Sequence, residues 1–318
     1  MINTQATPLE TIRQAIASVG HIPRELGELP DSPRRFPDGA RCRVEIPSTE
    51  SPTMLSALLD EADRRATPIH RVSQGSGVTM LTQEELVELS RLGRAARIEV
   101  SLFARPNGSW HLSPSSRVPG GAYLGASAYG QEQVRQSVEE IKRAADAGIR
   151  SVLIADIGVL SLFGRLREAE VIPADMQAKV SASFPVTNAS TAALLEQLGA
   201  NTLNLAPDLT LAQIASVRAA VAIPVDIYVE GPDLTGGIVR LHEIDEIVRV
   251  AAPVYVKFGI RNAPDIYPSG THLERTGIEL SRERVRRAQI GVEAIRRRFP
   301  DEPASLPGAP DLAIPVEP

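Results

Sequence analysis

Charged and hydroxyl side chains recur at every second position of several short apolar runs, a spacing that could do chemistry. In Pro224-Val-Asp-Ile-Tyr-Val-Glu230 the apolar set Val225, Ile227 and Val229 alternates with Asp226, Tyr228 and Glu230. Val254-Tyr-Val-Lys-Phe258 sets Tyr255 and Lys257 against three apolar residues. The same alternation isolates Arg43 with Glu45, Glu99 with Ser101, Lys179 with Ser181 and Ser183, and Thr202 with Asn204. Strand side chains alternate faces, so these residues share one face of a sheet. A carboxylate next to an amine on such a face can move protons, hold an anion or, if the amine is desolvated, form an imine.

Position along each run separates support from chemistry. In a closed parallel barrel the active site lies at the C-terminal ends of the strands, whereas residues lower down serve stability. Arg43, Glu99 and Asp226 are therefore expected as ion-pair partners inside, with Glu45 and Lys179 in supporting roles. Asp156, Ser183, Glu230 and Lys257 end their strands. Among them Glu230 is expected as general acid or base, Lys257 as electrostatic stabiliser or imine-forming amine, and Asp156 as base orienter or metal ligand. Substrate contacts are expected from Arg71, Ser183 and Tyr228, and from Arg261 and Asn262 after the eighth strand. Gly236 and Gly237 would offer N–H groups to an anion, and His111 would come from a lid. A hard divalent ion would draw on Glu45, His70, Asp156 or Glu230, a choice that leaves the cofactor open. His242-Glu-Ile-Asp-Glu246 lacks a second histidine and reads as a helix surface.

The elements needed to position these residues are legible. Strands are expected near 42–47, 69–73, 97–103, 151–156, 178–183, 201–206, 224–230 and 253–258. Helices are expected at 53–65, 82–95, 131–147, 159–169, 189–198, 210–221, 240–250 and 281–299. Eight alternations predict an α/β fold, a (β/α)8 barrel of TIM type forming a single domain over 42–300. Ser51-Pro52, Thr82-Gln83-Glu84-Glu85, Asn188 and Thr210 carry helix-entry chemistry, and Gly148 and Gly199 stand where helices end. Residues 1–41 form an extension with a short helix at 7–19 and a Pro-rich stretch, and 301–318 a Pro-rich tail, both expected as extended wrapping or loose segments. The stretch from Arg105 to Tyr129, with Trp110, His111, Arg117 and Tyr123, is too long for an ordinary turn and is expected to be a lid.

Composition narrows the partners. The 318 residues carry a net charge of −5 with 4% aromatics, which lacks the basic and stacking footprint of nucleic-acid binding. The single cysteine, Cys42, excludes an intrachain disulfide and an iron–sulfur cluster with four cysteine ligands from one chain. No GxxxxGK[ST] loop, complete GxGxxG or GxSxG elbow occurs, and no apolar stretch is long enough for a bilayer. A cytoplasmic protein binding a small molecule is expected, with no nucleic acid and no membrane, and with room for a homo-oligomer.

Several motifs also carry a likeness. Leu81-Thr-Gln-Glu-Glu-Leu86, Arg97-Ile-Glu-Val-Ser-Leu102, Ala147-Gly-Ile-Arg-Ser-Val-Leu-Ile-Ala-Asp-Ile-Gly-Val-Leu160, Val186-Thr-Asn188, Leu198-Gly-Ala-Asn-Thr-Leu-Asn-Leu205, Leu209-Thr-Leu-Ala-Gln-Ile214 and Lys257-Phe-Gly-Ile-Arg261 resemble the collagenase-like peptidases, family thirty-two of the peptidases of unassigned mechanism. The likeness spans residues 81–299 and implies a barrel. Where that family commonly carries HGALC, this chain has Glu230-Gly-Pro-Asp-Leu234, so the histidine position is Glu230 and the cysteine is missing; Ser181-Ala-Ser183 replaces a Ser-Thr-Gln element. The clustered cysteines of its iron–sulfur members are absent as well. The resemblance thus implies the fold but not the chemistry. The expectation is an enzyme acting on a carboxylate- or phosphate-bearing metabolite, by hydrolysis or by lyase or isomerase acid–base chemistry. The rivals are a non-catalytic ligand- or partner-binding barrel and a metal-assisted peptidase.

Overall fold

The computed structural model describes residues 8–19, 28–105, 126–184, 186–302 and 304–318. Eight parallel strands close in sequence order into a barrel: β1 (Cys42–Pro47), β2 (Arg71–Ser73), β3 (Glu99–Phe103), β4 (Ser151–Ile154), β5 (Gln177–Val180), β6 (Thr202–Asn204), β7 (Val225–Glu230) and β8 (Val254–Phe258), with β8 pairing back onto β1. The helices are α1 (Pro8–Ser18), α2 (Pro52–Arg64), α3 (Gln83–Ala96), α4 (Gln131–Asp146), α5 (Ile157–Glu168), α6 (Ala189–Gln197), α7 (Leu211–Ala220), α8 (Ile244–Ala251) and α9 (Glu274–Arg298). The expected TIM-type barrel is the fold.

Local chemistry explains the boundaries. Thr82 and Glu85 form a reciprocal capping box, as do Thr210 and Gln213, while Ser51, Asn188 and Asp156 each accept the backbone N–H three residues on. Gly148 and Gly199 take positive φ at the helix ends, where a Cβ would be strained. Val44, Ile46, Val72, Val100, Val152, Ala178, Leu203, Ile227 and Val256 face the helices and join one apolar cluster. Two sequence-level bounds move: α9 begins seven residues earlier than the periodicity suggests, and the helix expected at 240–250 opens with a tighter turn at Leu241–Glu243. No helix among the described residues is long and apolar enough to cross a membrane.

Of the two forms expected of it, the Pro-rich tail takes the wrapping one. It crosses the N-terminal mouth of the barrel and closes it. Asp311 accepts from Arg43 NH1 and NH2 at 2.9 and 2.6 Å, and Ser305 Oγ accepts from Arg43 Nε at 2.9 Å. Val316 N donates to Gly148 O at 2.8 Å, and Gln177 Nε2 donates to Asp311 O at 3.1 Å. Phe36, Tyr255, Ala309 and Leu312 pack together there, and the Arg43 guanidinium lies 3.9 Å from the Phe36 ring centre.

His70 belongs to this closure, not to the functional mouth where a metal ligand was expected. It precedes β2, its Nδ1 accepts from Val44 N at 2.9 Å, and its Nε2 bonds the carbonyl of Ser305. Burial lowers its pKa to about 4 from 6.5. A proton added at Nδ1 would face the Val44 N–H donor. The unfolded imidazole takes up its proton near 6.5 and the folded one only near 4, so the unfolded chain binds more protons in that window. Stability therefore declines as pH falls from 6.5 to 4, by about 3 kcal/mol. Urea midpoints across pH 4–7 should show this loss, and His70→Gln should remove the histidine's share of the slope; an unchanged slope would contradict the assignment.

Candidate functional site

The inward face of the strands is an ion-pair lattice. Glu45 on β1 is its hub: it accepts from Arg71 Nε at 2.8 Å and Ser73 Oγ at 2.7 Å, bonds Lys179 Nζ through both oxygens, and lies 3.3 Å from Lys257 Nζ. Burial alone would raise its pKa, but the charges of Arg71, Lys179 and Lys257 hold it well below the usual carboxylate range. Arg71 also bonds Asp226, lies 3.6 Å from Glu99, and stacks 3.5 Å from the Tyr255 ring centre. Lys179 is 3.4 Å from Asp226; burial, reinforced by Arg71, lowers its pKa to about 7. These six groups balance as three cations against three acids, which is how a barrel interior tolerates buried charge. Arg71, expected to touch substrate, and Glu45, expected as a metal candidate, are committed to this lattice.

Above it, at the C-terminal ends of the strands, opens a cavity of about 80 Å³. Lys257 forms its floor, with the Tyr228 ring 4.3 Å from Nζ. The Lys257 amine donates to Asn204 Oδ1 at 2.6 Å, and with Glu45 at 3.3 Å these two partners fix its direction. Ser73, Ser181, Ser183 and Thr235 supply hydroxyls around the wall, and Arg105 supplies a second cation. Burial lowers the Arg105 pKa to about 10, and its NH1 donates to Gly75 O at 3.4 Å. Tyr267 bonds Ser48 Oγ across the entrance. Burial raises the pKa of both Tyr228 and Tyr267, so both phenols stay protonated. Asp265 is the one carboxylate among the described lining residues, and it is exposed. The arrangement donates hydrogen bonds and positive charge inward, as an anion or developing oxyanion requires.

Of the residues expected from sequence, Lys257, Tyr228 and Ser183 line this cavity. Glu230 does not. A register irregularity between Tyr228 and Glu230 on β7 breaks the alternation, and the carboxylate turns to accept Arg261 N at 3.1 Å and to face Arg287 of α9 at 3.7 Å. Asp156 caps α5 through Val159 N at 3.0 Å and holds Ala128 N at 3.0 Å. The glycine loop offers no free N–H cradle: Gly231, Gly236 and Gly237 donate to Ile238, Asp233 and Pro232 carbonyls. Asn262 N donates to Asp233 at 2.8 Å, and exposed Arg261 stands 3.9 Å from the same carboxylate, so both brace that loop. His111 lies outside the described residues, as does most of the expected lid. No group of three His, Cys, Asp or Glu residues among the described residues is placed to hold a metal. Burial pushes the Cys42 thiol up to about 12, which removes it as a nucleophile.

Sequence reasoning missed Arg105, Ser48 and Tyr267. Arg105 directly follows β3 by two residues and Tyr267 sits in the loop after β8, positions that feed the C-terminal mouth of any such barrel.

The family model for peptidase family U32 matches residues 124–234, in agreement with the likeness read from the motifs. No curated protein matches. Among solved structures, the U32 peptidase Mk0906 shares 13% identity over 65% of this chain and 73% of its own, with a TM-score of 0.40. The YdjI aldolase from Escherichia coli K12 shares 13% over 79% of this chain and 91% of its own, at 0.46. A putative fructose-1,6-biphosphate aldolase from Coccidioides immitis shares 10% over 81% of this chain and 93% of its own, at 0.49. None of these likenesses bears on the chemistry of this chain.

Glu45→Gln would leave three buried cations facing two acids. The expected loss is about 3–5 kcal/mol of unfolding free energy, read from denaturant midpoints. A loss under about 1 kcal/mol, the value of an exposed pair, would show that the lattice is not holding the barrel.

Proposed function

We propose that the protein is a TIM-barrel enzyme acting on a small carboxylate- or phosphate-bearing metabolite, with lyase or isomerase acid–base chemistry at Lys257. The observation that carries this is the Lys257 amine: the residue is 1% exposed at the floor of the cavity, and its two oxygen partners, Asn204 and Glu45, leave one of its three N–H donors beside the Tyr228 ring for a ligand oxygen. An ammonium held this way stabilises charge that develops on a substrate oxygen without rearranging during the reaction. The protonated Tyr228 and Tyr267 phenols add neutral donors, and Arg105 adds charge at the wall. Hydrolysis by an activated side chain is less well served, because the described lining contains serines but neither histidine nor cysteine to form a nucleophile–base pair.

The roles expected of Glu230 and Asp156 pass to positioning. Glu230 ties the start of the loop after β8 to the wall, and Asp156 ties the end of the segment after β3 to α5. The loop after β8 borders the cavity through Asp265 and Tyr267, so Glu230 acts on the site through the backbone it holds.

The test is a screen of small oxo acids and sugar phosphates by calorimetry and by absorbance of the carbonyl group. Lys257→Met should weaken binding of every acid that the wild type binds by about tenfold or more, the value of one charge-assisted hydrogen bond, and should abolish turnover where turnover is found. Unchanged affinity and rate in that variant would contradict the reading.

A further inference from the structure

We infer that the protein carries a second anion-binding subsite at Arg284, in a side cavity adjoining the Lys257 cavity past the Ser48–Tyr267 pair, so that its ligand bears an acidic group at each end of a short apolar stem. This rests on the reading of Lys257 for the near end of the ligand but not for the far end.

Arg284 belongs to α9 and is 4% exposed. Its NH1 donates to the carbonyl of Ser48 at 3.2 Å, and its buried Nε has no hydrogen-bond partner among the described residues. Glu50 acts on it electrostatically, yet both Glu50 oxygens are engaged by the N–H groups of Gly75 and Ser76 at 2.8 Å. Burial lowers the guanidinium's pKa, the opposite of the Arg43 and Arg71 guanidiniums, which have carboxylates against them. A buried cation with so little compensation is costly unless an anion arrives to meet it.

Arg284 lines a cavity of about 370 Å³. Ser48, Pro232, Leu234, Asp265 and Tyr267 border both this cavity and the one over Lys257, so the two share a wall. The remainder of the side cavity is apolar, from Ile260, Ala263, Pro264 and Ile266. Its acidic groups, Asp233 and Asp265, are exposed, and each accepts from a loop N–H, of Asn262 and Tyr267 respectively. Beyond the Ser48–Tyr267 pair, then, a cation waits in a largely apolar side cavity. A planar guanidinium takes a carboxylate or a phosphate there through two parallel bonds.

The probes are inorganic phosphate and unbranched mono- and dicarboxylic acids of equal length, titrated by calorimetry into the wild type, Arg284→Met, Arg284→Lys and Lys257→Met. Diacids should bind the wild type about tenfold tighter than monoacids, Arg284→Met should erase that preference, and Arg284→Lys should keep part of it. Phosphate binding that survives Lys257→Met but not Arg284→Met would support the subsite even if Lys257 proved indifferent to every acid. Equal responses of the wild type and Arg284→Met to phosphate and diacids would overturn it, as would absence of saturable binding of either probe to the folded wild type. Dicarboxylates without phosphate would identify the far group as a carboxyl; the reverse would identify a phosphoryl group.

Discussion

The Glu45 carboxylate holds three cations, and the rest of the barrel is arranged around that fact. Arg71, Lys179 and Lys257 come from β2, β5 and β8, so one side chain ties together strands from across the barrel. Most barrels of this class fill the interior with branched apolar residues, whose packing is tolerant of exchange. A charged interior is less tolerant, because each ion depends on its neighbours for compensation. What the lattice provides in return is direction. Lys257 is the upper corner, and its amine is pinned from below by Glu45 and from the side by Asn204.

The two mouths of the barrel divide the labour. At the N-terminal mouth the tail returns Asp311 to Arg43 and the Ser305 carbonyl to His70, so charge at that end is neutralised within the chain. At the C-terminal mouth Lys257, Arg105 and Arg284 line the cavities, Lys257 donating to the Asn204 amide and Arg284 to the Ser48 carbonyl, while the Glu50 and Asp265 carboxylates accept from backbone N–H groups. A net acidic chain thus gathers positive charge around one mouth. The low dielectric of that recess makes each donor worth more to a ligand than it would be at the surface.

Much of this was legible because it depends on local periodicity. The two-residue alternation in 201–206, 224–230 and 253–258 shows which side chains turn inward, and Lys257, Asn204 and Asp226 lie where it puts them. Helix entries at Ser51, Thr82, Asn188 and Thr210 follow from side-chain capping that needs only three neighbouring residues. Glu230 failed the same rule because the irregularity beside it on β7 adds a residue to one strand, a feature set by the pairing of β7 with β8 and invisible in β7 alone. The glycine loop was misread, and the tail left open between wrapping and loose, for a related reason. Whether Gly237 N is free, or whether a Pro-rich segment is loose, depends on carbonyls and arginines far away in sequence. Arg284 sits on a helix whose pattern is simply amphipathic and basic, so nothing local distinguishes it from its exposed neighbours.

Where an anion sits decides the role of the charged interior. A crystal structure of the wild-type protein soaked with a small oxo acid that it binds should show an acid oxygen within hydrogen-bond distance of Lys257 Nζ, with the Asn204 and Glu45 contacts to that amine intact. An acid bound elsewhere, with Lys257 closed onto Glu45 and no ligand above it, would contradict the claim that the charged interior exists to present this amine.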